Sequence, residues 1–317
     1  MDSRLKHMPI AFFSTVMGLS GLAIALQRAG ELWPPSATLG NLMALLSSLV
    51  FGLLLLAYAG KALRHRQSVI DELSDPVKMS FGATVSVSLV LLSITTLQLA
   101  PAVSRLLWVS GAALHLVYTL YVLNTWIHKT DFDIKHISPA WFIPVVGNIL
   151  VPVAGVAHAS AEISWFFFSI GLLFWLVLFT IIIYRMIFHH PLPDKLLPTL
   201  FILIAPPAVG FISYLKLAGD LDAFGRVLYF SALFLTLLLF LQLPRFLRLP
   251  FYLSWWAYSF PLAAMTVATL AMHDLTGLPV YGFLAWLFLG ILYAVVIYLI
   301  ARTLHAIVRH QICVEGH

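Results

Sequence analysis

Leu253-Ser254-Trp255-Trp256-Ala257-Tyr258-Ser259-Phe260-Pro261-Leu262-Ala263-Ala264-Met265-Thr266 decides how this chain is read. The stretch is apolar enough to cross a membrane, yet a proline stands in its middle. Pro261 has no N–H, and in a regular α-helix its ring clashes with the carbonyl of Ala257, so the helix is expected to kink or loosen there. In lipid an irregular backbone is tolerated only where it is buried in protein or lines a cavity. The stretch is therefore expected to line an interior space, with the Phe260 ring at the bend as its plug.

The rest of the chain supports a membrane setting. Hydrophobic residues make up 61% of the 317 residues, charged residues 10%, and the mean hydropathy is +0.97. A soluble domain carries about 25% charged residues. A crossing helix takes roughly 20 residues, and ten apolar runs of that size are present, at about 8–28, 37–60, 79–98, 104–126, 139–159, 162–186, 198–218, 221–243, 254–272 and 279–302. They predict one all-α transmembrane domain over 1–317. The run from Met8 to Leu26 lacks a small-residue cleavage site and is expected to be a span, not a signal peptide. The one cysteine, Cys313, excludes an internal disulfide.

Charge orients the spans. Basic residues number 18 and acidic residues 13, a net charge of +5. Elsewhere such a balance suggests a nucleic-acid partner; here it marks one membrane face, and no nucleic acid is expected. Lys61, Arg64, Arg66 and Lys78 lie after the second span, Lys129 and Lys135 after the fourth, Lys195 after the sixth, and Arg245 and Arg248 after the eighth. With Arg4, Lys6, Arg185, Arg302 and Arg309 they place 14 of the 18 basic residues on one side, against Arg28, Arg105, Lys216 and Arg226 on the other. The positive-inside rule then predicts a multi-pass protein of the plasma membrane with both termini cytoplasmic.

Short odd-to-even connections, such as Ala100 to Val103 and Ala159 to Ala161, pair the spans into five helical hairpins. Even spans are bulky and greasy, as in Trp165-Phe166-Phe167-Phe168. Odd spans are rich in small, hydroxylated and helix-breaking residues: Gly18 in the first, Thr84 in the third, Pro144, Gly147 and Asn148 in the fifth, Pro206 and Pro207 in the seventh, and Pro261 in the ninth. Greasy helices face lipid, whereas small residues let helices pack closely and loosened backbone needs a protected or wet surface. This predicts an inner ring of odd helices around a central pore and an outer ring of even ones, with those eight residues as pore-lining or helix-kink candidates behind the Phe260 gate.

The spans are nearly free of ionisable groups. His115, in the fourth, is the clearest exception and is expected to hydrogen-bond between helices. The absence of carboxylates from the odd spans argues against a proton-coupled pump and against a cation path. An anion is expected instead to meet helix N-termini released at the prolines, serine and threonine hydroxyls, and the electropositive edge of an aromatic ring. Asp71-Glu72-x-x-Asp75 resembles half of a diphosphate-binding site of a membrane enzyme, but no second acidic motif accompanies it and a solvated loop is expected. His189-His190 has too few companions for a metal site. No cofactor, metal or enzymatic activity is expected.

Trp255-Trp256-Ala257-Tyr258-Ser259-Phe260-Pro261 resembles the ninth-helix signature of the tellurite-resistance/dicarboxylate transporter family, which includes the plant guard-cell slow anion channels. Ser138 through Asn148, Pro198 through Pro207, and Pro9 through Gly21 resemble the family's fifth, seventh and first helices. The resemblance implies five helical hairpins in quasi-fivefold arrangement around a pore, homotrimers with one pore in each subunit, and a ninth-helix phenylalanine that occludes the pore, here Phe260. It implies conduction of chloride and nitrate, or carriage of C4-dicarboxylates such as malate, of sulfite, or of tellurite-related oxyanions. The long polar tails of the plant channels are not seen in this sequence, so regulation by tail phosphorylation is not implied.

Overall fold

The structure, a computed structural model, describes residues 2–130 and 132–313. Among these residues the chain forms helices and turns, with no strand. The long helical elements are α1 (Ile10–Ala29), α2 (Pro34–Arg64), α3 (Lys78–Thr96), α4 (Pro101–His128), α5 (Pro139–His158), α6 (Ala161–Phe188), α7 (Leu197–Ala218) and α8 (Ala223–Leu241). There follow α9, in which Leu253–Tyr258 runs directly into Ser259–Thr276, and α10 (Pro279–Val308). A short helix, Arg66–Ser74, joins α2 to α3.

Among the described residues nine of these helices are long and apolar enough to cross a membrane. The exception is α9, whose α-helical part is only 18 residues and ends with His273 and Asp274 in its last turn. The protein is a helical integral membrane protein. Several even helices outrun their apolar cores: α2 continues to Arg64 and α10 to Val308, because hydropathy marks only the lipid-facing part of a helix that keeps its hydrogen bonds beyond it.

Even and odd helices are built differently. Pro34, Pro101 and Pro279 stand at the first position of α2, α4 and α10, where the missing N–H has no partner to lose, and each helix then runs as unbroken α. Every odd helix opens instead with 3₁₀ turns: Ile10–Phe12, Lys78–Ala83, Pro139–Trp141, Leu197–Ile204 and Leu253–Tyr258. The α-helical course begins within three residues before the prolines, at Phe142 for Pro144, Ala205 for Pro206 and Pro207, and Ser259 for Pro261. Pro206, Pro207 and Pro261 therefore do not break their helices, whereas α5 is interrupted past Pro144 by a second 3₁₀ stretch, Gly147–Leu150, before α-helix resumes at Pro152. These prolines fall in the first turn of an α segment, and the tighter 3₁₀ winding ahead of them moves the carbonyls with which their rings would collide. Gly277, at φ 66°, provides the left-handed residue that ends α9 just before Pro279.

Burial separates the two classes. In the apolar windows of α1, α3, α5 and α7, 67–78% of residues are buried, against 17–39% for α2, α4, α6, α8 and α10. In α2, Leu42, Leu45, Leu49, Leu53 and Leu56 repeat along one face and are exposed, as a lipid-facing helix requires. Each odd helix packs on the even helix that follows it, and α1, α3, α5, α7 and α9 touch in a closed cycle, with α9 against α1. The N- and C-terminal ends meet on one face, where the Arg4 guanidinium donates to the carbonyl of Ile307 at 3.1 Å.

Candidate functional site: two cavities that meet at Phe260

The five odd helices all run the same way, from the face that holds the chain ends toward the far face. Their starts surround a cavity of about 720 Å³ that opens on that first face. Pro9 and Ile10 at the start of α1, Val77 and Lys78 at the start of α3, and Leu253 and Ser254 of α9 border its mouth. A second, small cavity of about 40 Å³ lies toward the far face, between Ile24, Ile94, Val153, Ile212 and Val267. Every residue bordering it is apolar or glycine.

Helical spacing brings each odd helix to the axis along one stripe. On α9 the stripe is Ala257, Phe260, Ala263 and Val267; on α5 it is Val146, Leu150 and Val153; on α7 it is Pro206, Val209 and Ile212. These steps of three and four residues keep one helix face inward. Three residues border both cavities: Leu150, Val209 and Phe260. They stand where the two spaces adjoin. Phe260 came from the sequence through its proline neighbour. Leu150 and Val209 carry no such mark, because an ordinary aliphatic residue on an apolar helix looks the same from every side.

The other candidates divide. Pro261, Gly147 and Pro206 border the large cavity. Gly18, Thr84, Pro144, Asn148 and Pro207 border neither and sit behind its wall. Gly18 lets α1 approach α9: a Cβ there would strike Ser259 Oγ and come 2.7 Å from Trp256 Cε3. The Thr84 hydroxyl donates to the carbonyl of Phe81 at 2.5 Å. Asn148 Nδ2 donates to Thr119 Oγ1 at 2.9 Å, and that hydroxyl donates to the carbonyl of Pro144 at 2.7 Å, which locks α4 to α5.

Several hydroxyls of the odd spans are engaged on their own helices. Ser14, Thr15, Ser93, Thr95, Thr266 and Thr269 each donate to a carbonyl three or four residues earlier on their own helix. A hydroxyl in an apolar interior satisfies itself on the nearest carbonyl, which is usually its own helix's. His115 is buried on α4, with Nδ1 2.8 Å from Ser86 Oγ of α3 and its ring against Gly147.

The acidic loop also departs from expectation. Asp71 remains solvated, but Glu72 is buried at the rim of the large cavity. Its carboxylate accepts from the Lys61 ammonium at 2.6 Å, the Ile10 N–H at 2.7 Å and the Tyr58 hydroxyl at 3.0 Å. Asp75 accepts from the N–H groups of Val77 and Lys78, at 2.9 and 2.8 Å. Lys78, Lys135 and Lys195 face the same mouth. Lys135 pairs with the exposed Asp133 at 2.8 Å and holds that carboxyl below its usual range. No group of three or more His, Cys, Asp or Glu side chains among the described residues is placed to share a metal ion.

Comparison with known proteins agrees with this geometry. The family model SLAC1, described as voltage-dependent anion channel, matches residues 7–304. The chain is 25% identical over 310 residues to an uncharacterized transporter of Methanocaldococcus jannaschii, a match that covers 90% of this chain and 91% of the relative. It is 24% identical over 302 residues to a tellurite resistance protein TehA homolog of Haemophilus influenzae, covering 93% and 92%. With the S-type anion channel SLAH2 of Arabidopsis thaliana it shares 26% identity over 277 residues, 85% of this chain and 53% of the plant protein.

Proposed function

Because the chain belongs to the SLAC1 family of voltage-dependent anion channels, we propose that it passes small monovalent anions, chloride and nitrate, through a central pore that Phe260 closes. The observation that carries this is the place where the cavities adjoin: among the described residues Phe260, Leu150 and Val209 alone border both, so an ion moving from one to the other passes the ring. An apolar constriction of this kind blocks ions by bulk and by dewetting.

The mouth suits an anion. All five odd helices start there, and helix N-termini carry partial positive charge. The basic side chains of Lys78 and Lys195 add to it, Lys135 being paired with Asp133, while the two carboxylates in the wall are already engaged. Beyond the mouth no charged side chain among the described residues lines the way, which favours passage over capture.

The basic face is the cytoplasmic one, with both termini inside and the protein in the plasma membrane. Residues 1–317 act as one channel domain of five quasi-fivefold hairpins, and three subunits assemble with one pore in each. Two-electrode recording of wild type and Phe260→Ala tests the reading. The variant is expected to carry an anion-selective current that wild type lacks; equal low currents in both would overturn the gate.

A secondary carrier for C4-dicarboxylates, sulfite or tellurite-related oxyanions is the alternative, and the 720 Å³ of the larger cavity favours it, being ample for a malate ion. Saturable malate uptake that collapses with the proton gradient would select it.

A further inference from the structure

The buried pair Lys61–Glu72 plays no part in closing the partition, yet Glu72 lines the large cavity while Lys61 does not. Lys61 Nζ reaches Glu72 from behind, donates also to the carbonyl of Met8 at 2.8 Å, and lies 5.1 Å from the centre of the Tyr58 ring. Together the pair holds Met8 and Ile10 on either side of Pro9, where α1 begins at the mouth. Glu72 and Asp75 are the two carboxylates of this wall. Asp75 is turned onto backbone N–H groups; Glu72 is the one balanced by a side-chain cation. Lys78 and Lys195 form no ion pair with a described residue, so the mouth is most positive while Glu72 is neutralised.

We propose that Lys61, which touches no part of the ion path, sets the anion preference of the mouth by cancelling the charge of Glu72. It is a positioning residue for the electrostatic field, and the proposal rests on the anion-conduction reading above. Two unit charges of opposite sign in contact look neutral to an ion several ångströms away. Removing the ammonium leaves a carboxylate that repels arriving anions, and removing the carboxylate leaves an extra cation that attracts them. Such fields change local ion concentration most at low ionic strength.

The test uses the full-length protein in planar bilayers, in a Phe260→Ala parent that conducts, with chloride at low and at about 1 M salt, where the Debye length falls to about 3 Å. Lys61→Met is measured at pH 8.5 and Glu72→Gln at pH 7, each beside the parent, since burial favours the neutral form of a group left alone. At low salt Lys61→Met is expected to lower chloride conductance by roughly threefold to tenfold and Glu72→Gln to raise it by a similar factor, both effects shrinking at high salt. The double variant Lys61→Met/Glu72→Gln is expected to return to the parent level. A loss in Lys61→Met that is the same at both salts, or that Glu72→Gln does not rescue, marks a purely structural pair and overturns the proposal. Should Lys61→Met fail to fold, Glu72→Gln decides alone: no rise at low salt overturns the proposal. A parent without anion-selective current refutes the conduction reading and this proposal with it, whereas an anion-selective parent indifferent to both substitutions refutes this proposal alone.

Discussion

Gly21 of α1 lies directly beneath Phe260 of α9: a Cβ on Gly21 would sit 3.6 Å from both Cα and Cδ2 of Phe260, and 2.9 Å from the Cβ of Ala263. The ring that divides the two cavities thus rests on a helix face without a side chain. At the far ends of the same two helices, Arg28 pairs with Asp274 at 2.6 Å, which holds α1 and α9 together. Gly21→Ala forces this seam apart by a few tenths of an ångström. It is expected to destabilise the protein by about 1–3 kcal/mol, the usual penalty of overpacking, read as a lower unfolding temperature in detergent.

Leu150 and Val209 close the partition from α5 and α7. Leu150→Ala or Val209→Ala is expected to raise anion conductance less than Phe260→Ala does, because each removes a smaller part of the same obstruction. Phe260→Ala itself is expected to raise it on the order of tenfold or more, since every 1.4 kcal/mol of barrier removed is tenfold in rate. Combined with Phe260→Ala, each aliphatic truncation is expected to add little, because the obstruction is already open; single-channel recording gives the comparison.

The small cavity beyond the ring has an entirely apolar wall. An ion there has given up water without gaining a fixed charge, so the cost follows its hydration. Nitrate holds water less tightly than chloride and is expected to be the more permeant of the two in Phe260→Ala. Reversal potentials in mixed solutions check this, and a ratio below one would contradict it.

Gly18 is expected to be intolerant of any side chain. Its Cβ would meet both Ser259 and Trp256, and Trp256 is fixed by its own hydrogen bond to Thr303 Oγ1 at 2.9 Å. Gly18→Ala should cost about 1–3 kcal/mol, visible in thermal unfolding monitored by tryptophan fluorescence.

Ser86 holds His115 behind the wall that includes Gly147. Ser86→Ala leaves the buried Nδ1 without its partner, a loss expected to cost about 1–3 kcal/mol of stability. Unfolding in detergent should show it, with ion selectivity unchanged.

Much of the architecture is written in the order of the residues. The greasy surfaces of the sixth, eighth and tenth spans against the small residues of the first, third, fifth, seventh and ninth distinguish lipid-facing from interior helices, because lipid and a packed core demand different side chains over a whole helix. The aromatic–proline pair Phe260-Pro261 marks its helix in the same way. How each inner helix is rotated is another matter. That depends on contacts such as Gly18 with Ser259 and Gly21 with Ala263, which involve residues more than 240 positions apart. Tertiary packing also brings Leu150 and Val209 beside Phe260 and sets Glu72 of an apparently solvated loop on Lys61 and the start of α1. Local composition records the average surroundings of a helix. Which side chains share one point on the axis is decided by packing among helices distant in the chain.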